Sequence, residues 1–120
     1  MRVAVIGSRS FANYEQLARE LDALALAEGQ PITLIVSGGA TGADTLAERY
    51  ARERSIPTRV FLPDFKTFGR KATLVRNKDV VSAADVVWAV WDGVSKGTAH
   101  ALRESRRLGI RTIVVVPELP

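Results

Sequence analysis

Five short runs of apolar, β-branched residues recur along the chain, at 2–6, 32–36, 58–62, 85–90 and 111–116. None alternates strictly between apolar and polar, as a strand wetted on one face would, so they predict strands buried on both faces of a parallel sheet. The segments between them keep a helical beat. Residues 13–28 carry Leu17, Leu21 and Leu24 on one face, and 41–54 carry Leu46, Ala47 and Tyr50. Residues 70–82 carry Leu74, Val75 and Val81, and 97–108 carry Ala101, Leu102, Ser105 and Leu108. Strand and helix thus alternate through a single domain spanning 1–120, predicting a three-layer α/β/α, Rossmann-like fold. A five-stranded parallel sheet of order 3-2-1-4-5 is the expected topology, because it makes neighbours of the turns after strands one, two and four.

Those turns carry the chemistry. Gly7-Ser8-Arg9 follows the first strand, Ser37-Gly38-Gly39-Ala40-Thr41-Gly42-Ala43-Asp44 the second, and Trp91-Asp92-Gly93-Val94-Ser95-Lys96-Gly97-Thr98 the fourth. Glycine allows close approach of backbone to a ligand, and the helix that follows offers unpaired N–H groups and the positive end of its dipole. Two such turns on one sheet edge predict a shared phosphate-bearing ligand.

Composition narrows the alternatives. The chain has 120 residues, 47% of them hydrophobic, enough for one buried core and too few for two ordinary domains. No apolar stretch approaches the roughly 20 residues of a membrane span, and Met1 to Ile6 runs into Gly7 without a signal-peptide pattern, so a cytoplasmic protein is expected. Zero cysteines and a lone His100 exclude thiolate zinc sites, a thiol nucleophile and an imidazole metal cluster. The only metal this composition suits is Mg²⁺ accompanying a phosphate ligand. The net charge of +4 favours anionic partners, and Lys66, Arg70, Lys71, Arg76 and Lys78 cluster as a candidate basic wall.

Taken in order, Gly7-Ser8-Arg9, the Ser37–Asp44 turn, Arg76-Asn77 and the run from Trp91 through Ala99-His100 resemble the YspA-type branch of the SLOG superfamily. That superfamily also holds the DNA-processing protein DprA and the phosphoribohydrolases called LOG. The resemblance covers essentially the whole chain and implies a Rossmann-like sheet with a nucleotide-related ligand. In LOG enzymes the second glycine turn reads Pro-Gly-Gly-x-Gly-Thr-x-x-Glu, with an Arg on the preceding helix assisting the Glu. Here Gly93, Gly97 and Thr98 resemble the phosphate-binding part and Arg76 the helical Arg, but Ala101 stands where the Glu would. That removes the carboxylate an oxocarbenium-like transition state needs.

Each candidate residue has a competing structural role. Thr41 and Asp44 fit a capping box, while Asp44 is also placed to meet a ribose hydroxyl or a cation. Gly38, Gly39 and Gly42 suit a tight turn as well as a phosphate cradle. Ser37, Ser95 and Thr98 are caps or phosphate contacts. Arg9 is a surface charge or a fork for phosphate. Asp92 is a turn residue, a ribose acceptor or a Mg²⁺ ligand. Trp88 reads as core and Trp91 as rim. Phe65 and Phe68, in the loop expected after the third strand and interleaved with Lys66, Arg70 and Lys71, form a candidate lid over a base. Arg76, Asp92 and His100 are the candidates for catalysis.

The function expected is binding or sensing of a nucleotide or nucleotide-derived ligand by Gly7, Ser8, Arg9, Ser37, Gly38, Gly39, Gly42, Ala43, Asp44, Arg76, Asn77, Asp92, Gly93, Ser95, Gly97 and Thr98. A nucleotide-processing enzyme such as a LOG-like N-glycosidase is the alternative. A DprA-like binder of single-stranded nucleic acid comes after it. A homodimer through the helix faces flanking the cleft is also expected.

Overall fold

The computed structural model describes residues 1–118. Strands β1 (Arg2–Gly7), β2 (Leu34–Ser37), β3 (Thr58–Val60), β4 (Val86–Val90) and β5 (Arg111–Val115) form one parallel sheet in the order β3-β2-β1-β4-β5. Helices α1 (Tyr14–Glu28), α2 (Ala43–Glu53), α3 (Phe65–Phe68), α4 (Ala72–Ser82) and α5 (Lys96–Arg107) connect them, with a 3₁₀ turn over Gly69–Lys71 between α3 and α4.

The absence of alternation in the central strands is explained by the layers above and below. Val3, Val5, Val86, Trp88 and Val90 pack with Leu17 and Leu21 of α1 and Ala47 and Tyr50 of α2. The intervening Ala4, Ile6, Val87 and Ala89 pack with Val80 and Val81 of α4 and Ala101 and Leu102 of α5. Successive side chains on a strand point to opposite faces, so both sets must be apolar when helices cover both. Trp88, aligned with Val5 of β1 and Ile113 of β5, is the largest fully buried side chain.

Three expectations need correction. The strand at 58–62 shortens to β3 and is exposed throughout, because it pairs only with β2 and forms an edge. Residues 65–68 are helical, with the Asp64 carboxylate accepting from the Thr67 N–H at 3.1 Å. The Thr41–Asp44 capping box does not form. Gly42, at φ +80°, takes the N-cap position, which leaves Thr41 outside α2, and the Asp44 carboxylate turns back to the Ala40 N–H instead.

All strands run the same way, but the direction in which successive strands are added to the sheet reverses between β1 and β4. The crossovers from β1 and β2 run to one side and carry α1 and α2; those from β3 and β4 carry α4 and α5 on the other face. A crevice opens where such a sheet switches, beyond the carboxyl ends of its strands.

Candidate functional site

A cleft of about 540 Å³ lies at that switch point, bounded by the turns after β1, β2 and β4 and by the inner face of α4. Its floor is apolar, with Ile6, Val80 and Ala101 among its lining. Its rim holds the hydroxyls of Ser8, Ser10, Ser95 and Thr98 and the cations Arg9, Arg76 and Lys96. Asp44 is the one carboxylate among the lining residues.

Close backbone approach brings the turns together. A Cβ added to Gly42 would lie 2.4 Å from the Ser8 carbonyl oxygen and 2.5 Å from that of Arg9, so only glycine fits where the second turn presses on the first. The Ser8 hydroxyl joins the first turn to the third, accepting from the Asp92 N–H at 3.4 Å and from Ser95 Oγ at 3.3 Å. Asp92 is occupied within its own turn. Its Oδ1 accepts from the N–H groups of Val94 at 2.9 Å and Ser95 at 2.8 Å, and its Oδ2 from Ser95 Oγ at 2.9 Å. Those backbone donors hold its pKa down to about 2. The Trp91 indole N–H closes the turn by donating to the Ser95 carbonyl at 3.1 Å.

Helix α4 spans the cleft. Arg76 Nη1 donates to the Gly38 carbonyl of the second turn, and Arg76 Nε donates to Asn77 Oδ1 at 3.0 Å. The Asn77 amide in turn donates to the Gly97 carbonyl at 3.3 Å and meets His100 Nδ1 at 3.3 Å. Arg76 is half-buried, and burial lowers its pKa from the ordinary arginine value, with Asp44 opposing that fall and Arg9 adding to it. Neither Arg76 nor Arg9 forms a salt bridge among the described residues. Asp44 is only 8% exposed, and burial raises its carboxyl to about 6 against the pull of the Ala40 N–H, the Arg76 charge and the Gly38 N–H.

The two helices that begin at the cleft, α2 and α5, differ from α1 and α3 at the N-terminus. Asn13 caps α1 and Asp64 caps α3, whereas no side chain caps α2, α5 or α4, whose first turn continues from the 3₁₀ turn. First-turn N–H groups have no partner within their own helix, so at α5 those of Lys96, Gly97 and Thr98 stay available at the cleft rim. Gly97 has no positive φ and nothing within 4 Å of the position a Cβ would take. The fold itself gives no reason for glycine there.

Of the residues read from the sequence, the cleft gathers Gly7, Ser8, Arg9, Gly38, Asp44, Arg76, Asn77, Ser95, Gly97 and Thr98. Seven others fall outside its lining. Ser37 is fully buried, accepting from the Gly39 N–H at 3.1 Å and donating to Glu48 at 3.3 Å. Gly39 faces Leu62 and Val60, Gly42 faces the first turn, and Ala43 packs in the core near Gly7. Asp92 and Gly93 shape the third turn. His100, a catalytic candidate, is held behind Asn77 with Nε2 3.8 Å from Glu104. The reading missed Ser10, Ala40, Thr73, Leu74 and Lys96. Thr73 precedes Arg76 by three residues and Asn77 by four, so helical spacing alone could have found it. No three His, Asp or Glu side chains converge on a metal-sized site among the described residues, and Asp44 is the cleft's only carboxylate for a cation arriving with phosphate.

Residues 1–68 match the model of the YspA, cpYpsA-related SLOG family. The Gene 61 protein of Mycobacterium phage D29 is 36% identical over 123 aligned residues, covering 93% of this chain and 94% of that one. Three solved structures share the fold. DNA processing protein A from Helicobacter pylori, described for its single-stranded DNA binding mode, superposes with a TM-score of 0.71 at 23% identity over 95% of this chain. DprA from Streptococcus pneumoniae gives 0.71 at 19% identity over 94%, and TM1055 gives 0.65 at 23% over 92%. This chain spans 64% and 49% of the two DprA chains and 71% of TM1055. At those identities the structures show a common fold. The family model and the phage relative carry the assignment further: the chain belongs to the YspA, cpYpsA-related SLOG family.

Proposed function

We propose that the protein binds a nucleotide or nucleotide-derived ligand in the cleft. Phosphate is received by the first-turn N–H groups of α5 and the hydroxyls of Ser8, Ser95 and Thr98. Arg9 and Arg76 neutralise it, Asp44 meets a ribose hydroxyl, and the floor of Ile6, Val80 and Ala101 takes the apolar face of the ligand. The single observation behind this reading is Arg76, a half-buried cation whose hydrogen-bond partners are the neutral oxygens of Gly38 and Asn77. Asp44 offsets this charge through space but forms no salt bridge with it, and an anionic ligand would complete the compensation. The cleft volume falls within the roughly 300–1,000 Å³ of small-molecule sites.

Thermal unfolding against AMP, GMP, CMP, UMP, NAD and ADP-ribose tests the proposal. A ligand at one hundred times its Kd adds about 2.7 kcal/mol, which raises the Tm of so small a domain by several degrees. Arg9→Ala should remove that rise and leave the unliganded Tm unchanged, since Arg9 is exposed and forms no salt bridge among the described residues. A rise that survives Arg9→Ala intact contradicts the assignment. Chromatography of the incubated ligand reads the alternative directly, because an N-glycosidase releases free base.

A further inference from the structure

We infer that the nucleotide held in the cleft is one unit of a single nucleic-acid strand, whose neighbouring bases stack on Phe65 and Phe68 while Lys66, Arg70 and Lys71 meet its phosphates. The inference rests on the cleft reading above and extends it outward along the surface.

Helix α3 has no buried residue, and it presents Phe65 at 59% and Phe68 at 46% exposure. Spaced three apart, the two rings share one side of a single helical turn. Phenylalanine normally contributes to stability by burial, so a pair left in water beside an exposed Leu62 marks a surface built to be covered.

Charge identifies the covering group. Lys66, Arg70 and Lys71 are exposed and form no salt bridge among the described residues. Between residues 61 and 78 the only acid is Asp64, and its carboxylate caps α3. The occupant must therefore combine flat apolar faces with closely spaced negative charge. A second copy of this +4 chain would bring further cations to the patch. A single strand alternates π-faces with phosphates, and stacking plus phosphate contact is how such strands are held.

Position links the patch to the cleft. Helix α3 abuts α4, and Leu74 of α4 both lines the cleft and remains 43% exposed toward solvent. A ligand leaving the cleft past Leu74 passes onto the α3 rings without crossing an acidic surface.

Fluorescence anisotropy with labelled oligothymidylates from dimer to octamer, competed by dTMP, tests this on the whole chain. Affinity should rise by about tenfold or more between dTMP and the tetramer. The double variant Phe65→Ala/Phe68→Ala should lose that gain while keeping dTMP affinity and Tm, since neither ring supports the core. Lys66→Ala/Arg70→Ala/Lys71→Ala should reduce the slope of log affinity against log salt by about 2. An oligomer bound no more tightly than dTMP overturns the inference and leaves the cleft reading standing. Loss of all binding, dTMP included, overturns this inference, and the nucleotide panel above decides the cleft reading separately. A length-dependent gain that persists in the double variant places the strand elsewhere. If instead light scattering shows a dimer that the double variant dissociates, the patch belongs to a second copy and the inference falls.

Discussion

Asp44 sits in the cleft at an energetic cost to the folded state. Burial, which disfavours the ionised form, pushes its carboxyl up to about 6 in the fold from an ordinary value of 3.8. Arg76 and the N–H groups of Ala40 and Gly38 oppose that shift, and Glu48 adds to it. The folded state therefore binds more protons than the unfolded chain between those values, and stability falls as pH rises through that window. By linkage the difference is of order 3 kcal/mol above pH 6. Urea unfolding of wild type and Asp44→Asn across the window should show the wild type gaining stability relative to the variant on acidification from about pH 7 to about pH 4. A pH-independent difference would mean that the carboxyl titrates normally. Asp92 behaves oppositely. Its pKa is depressed, so its stabilisation is present above the ordinary carboxylate range and is lost as pH falls toward 2. The sequence marks both as acids in glycine turns, and nothing local tells them apart. What separates them is tertiary: Asp44 is covered by the packed turns and α4, while Asp92 faces water and collects its donors from the next three residues.

Helix α5 shows most clearly how an element can be shaped for something outside the fold. Glycine in a first helical turn costs backbone entropy, and at Gly97 no positive φ or close neighbour requires it. Gly97→Ala should therefore stabilise the unliganded protein by about 0.4–1 kcal/mol while weakening ligand binding, because the new methyl stands where the phosphate approaches. Gly42→Ala should only destabilise, since its Cβ would meet two carbonyl oxygens. Unfolding curves and calorimetric titration of the two variants read both effects. Equal ligand affinity in Gly97→Ala would remove the phosphate from α5. The elements themselves were legible where they are long or buried. Strands β1 and β4 stand out as β-branched runs and α1 as a leucine stripe. Two elements were not. The apolar Phe61 and Leu62 made β3 read as a buried strand, although its edge position exposes it, and a single turn such as α3 is too short to show periodicity.

At the scale of the whole molecule, ion pairs cancel part of the charge away from the cleft. Arg2 pairs with Asp85 at 2.8 Å, Arg54 with Asp22 at 2.8 Å, and Arg111 with Glu28, all away from the cleft. Such exposed pairs contribute little stability, but they cancel peripheral charge, while Arg9, Arg76 and Lys96 line the crevice with Asp44 as the one carboxylate among them. No helix among the described residues is long and apolar enough to cross a membrane. The sheet order was legible because the order 3-2-1-4-5 makes neighbours of the turns after β1, β2 and β4. The division of labour within those turns was not, since a glycine required by a facing backbone and one left open for a ligand look alike in sequence. The central claim is that groups from separate turns, the first-turn N–H groups of α5 with the Ser8 hydroxyl and the Arg9 and Arg76 side chains, serve one phosphate. ¹H–¹⁵N correlation spectra of the protein titrated in turn with AMP, GMP, CMP and UMP test it most directly. For at least one nucleotide, the amide signals of Ser8, Gly38, Gly97 and Thr98 should move together along a single saturation curve. Signals that shift in one turn only, or with different midpoints, would contradict it.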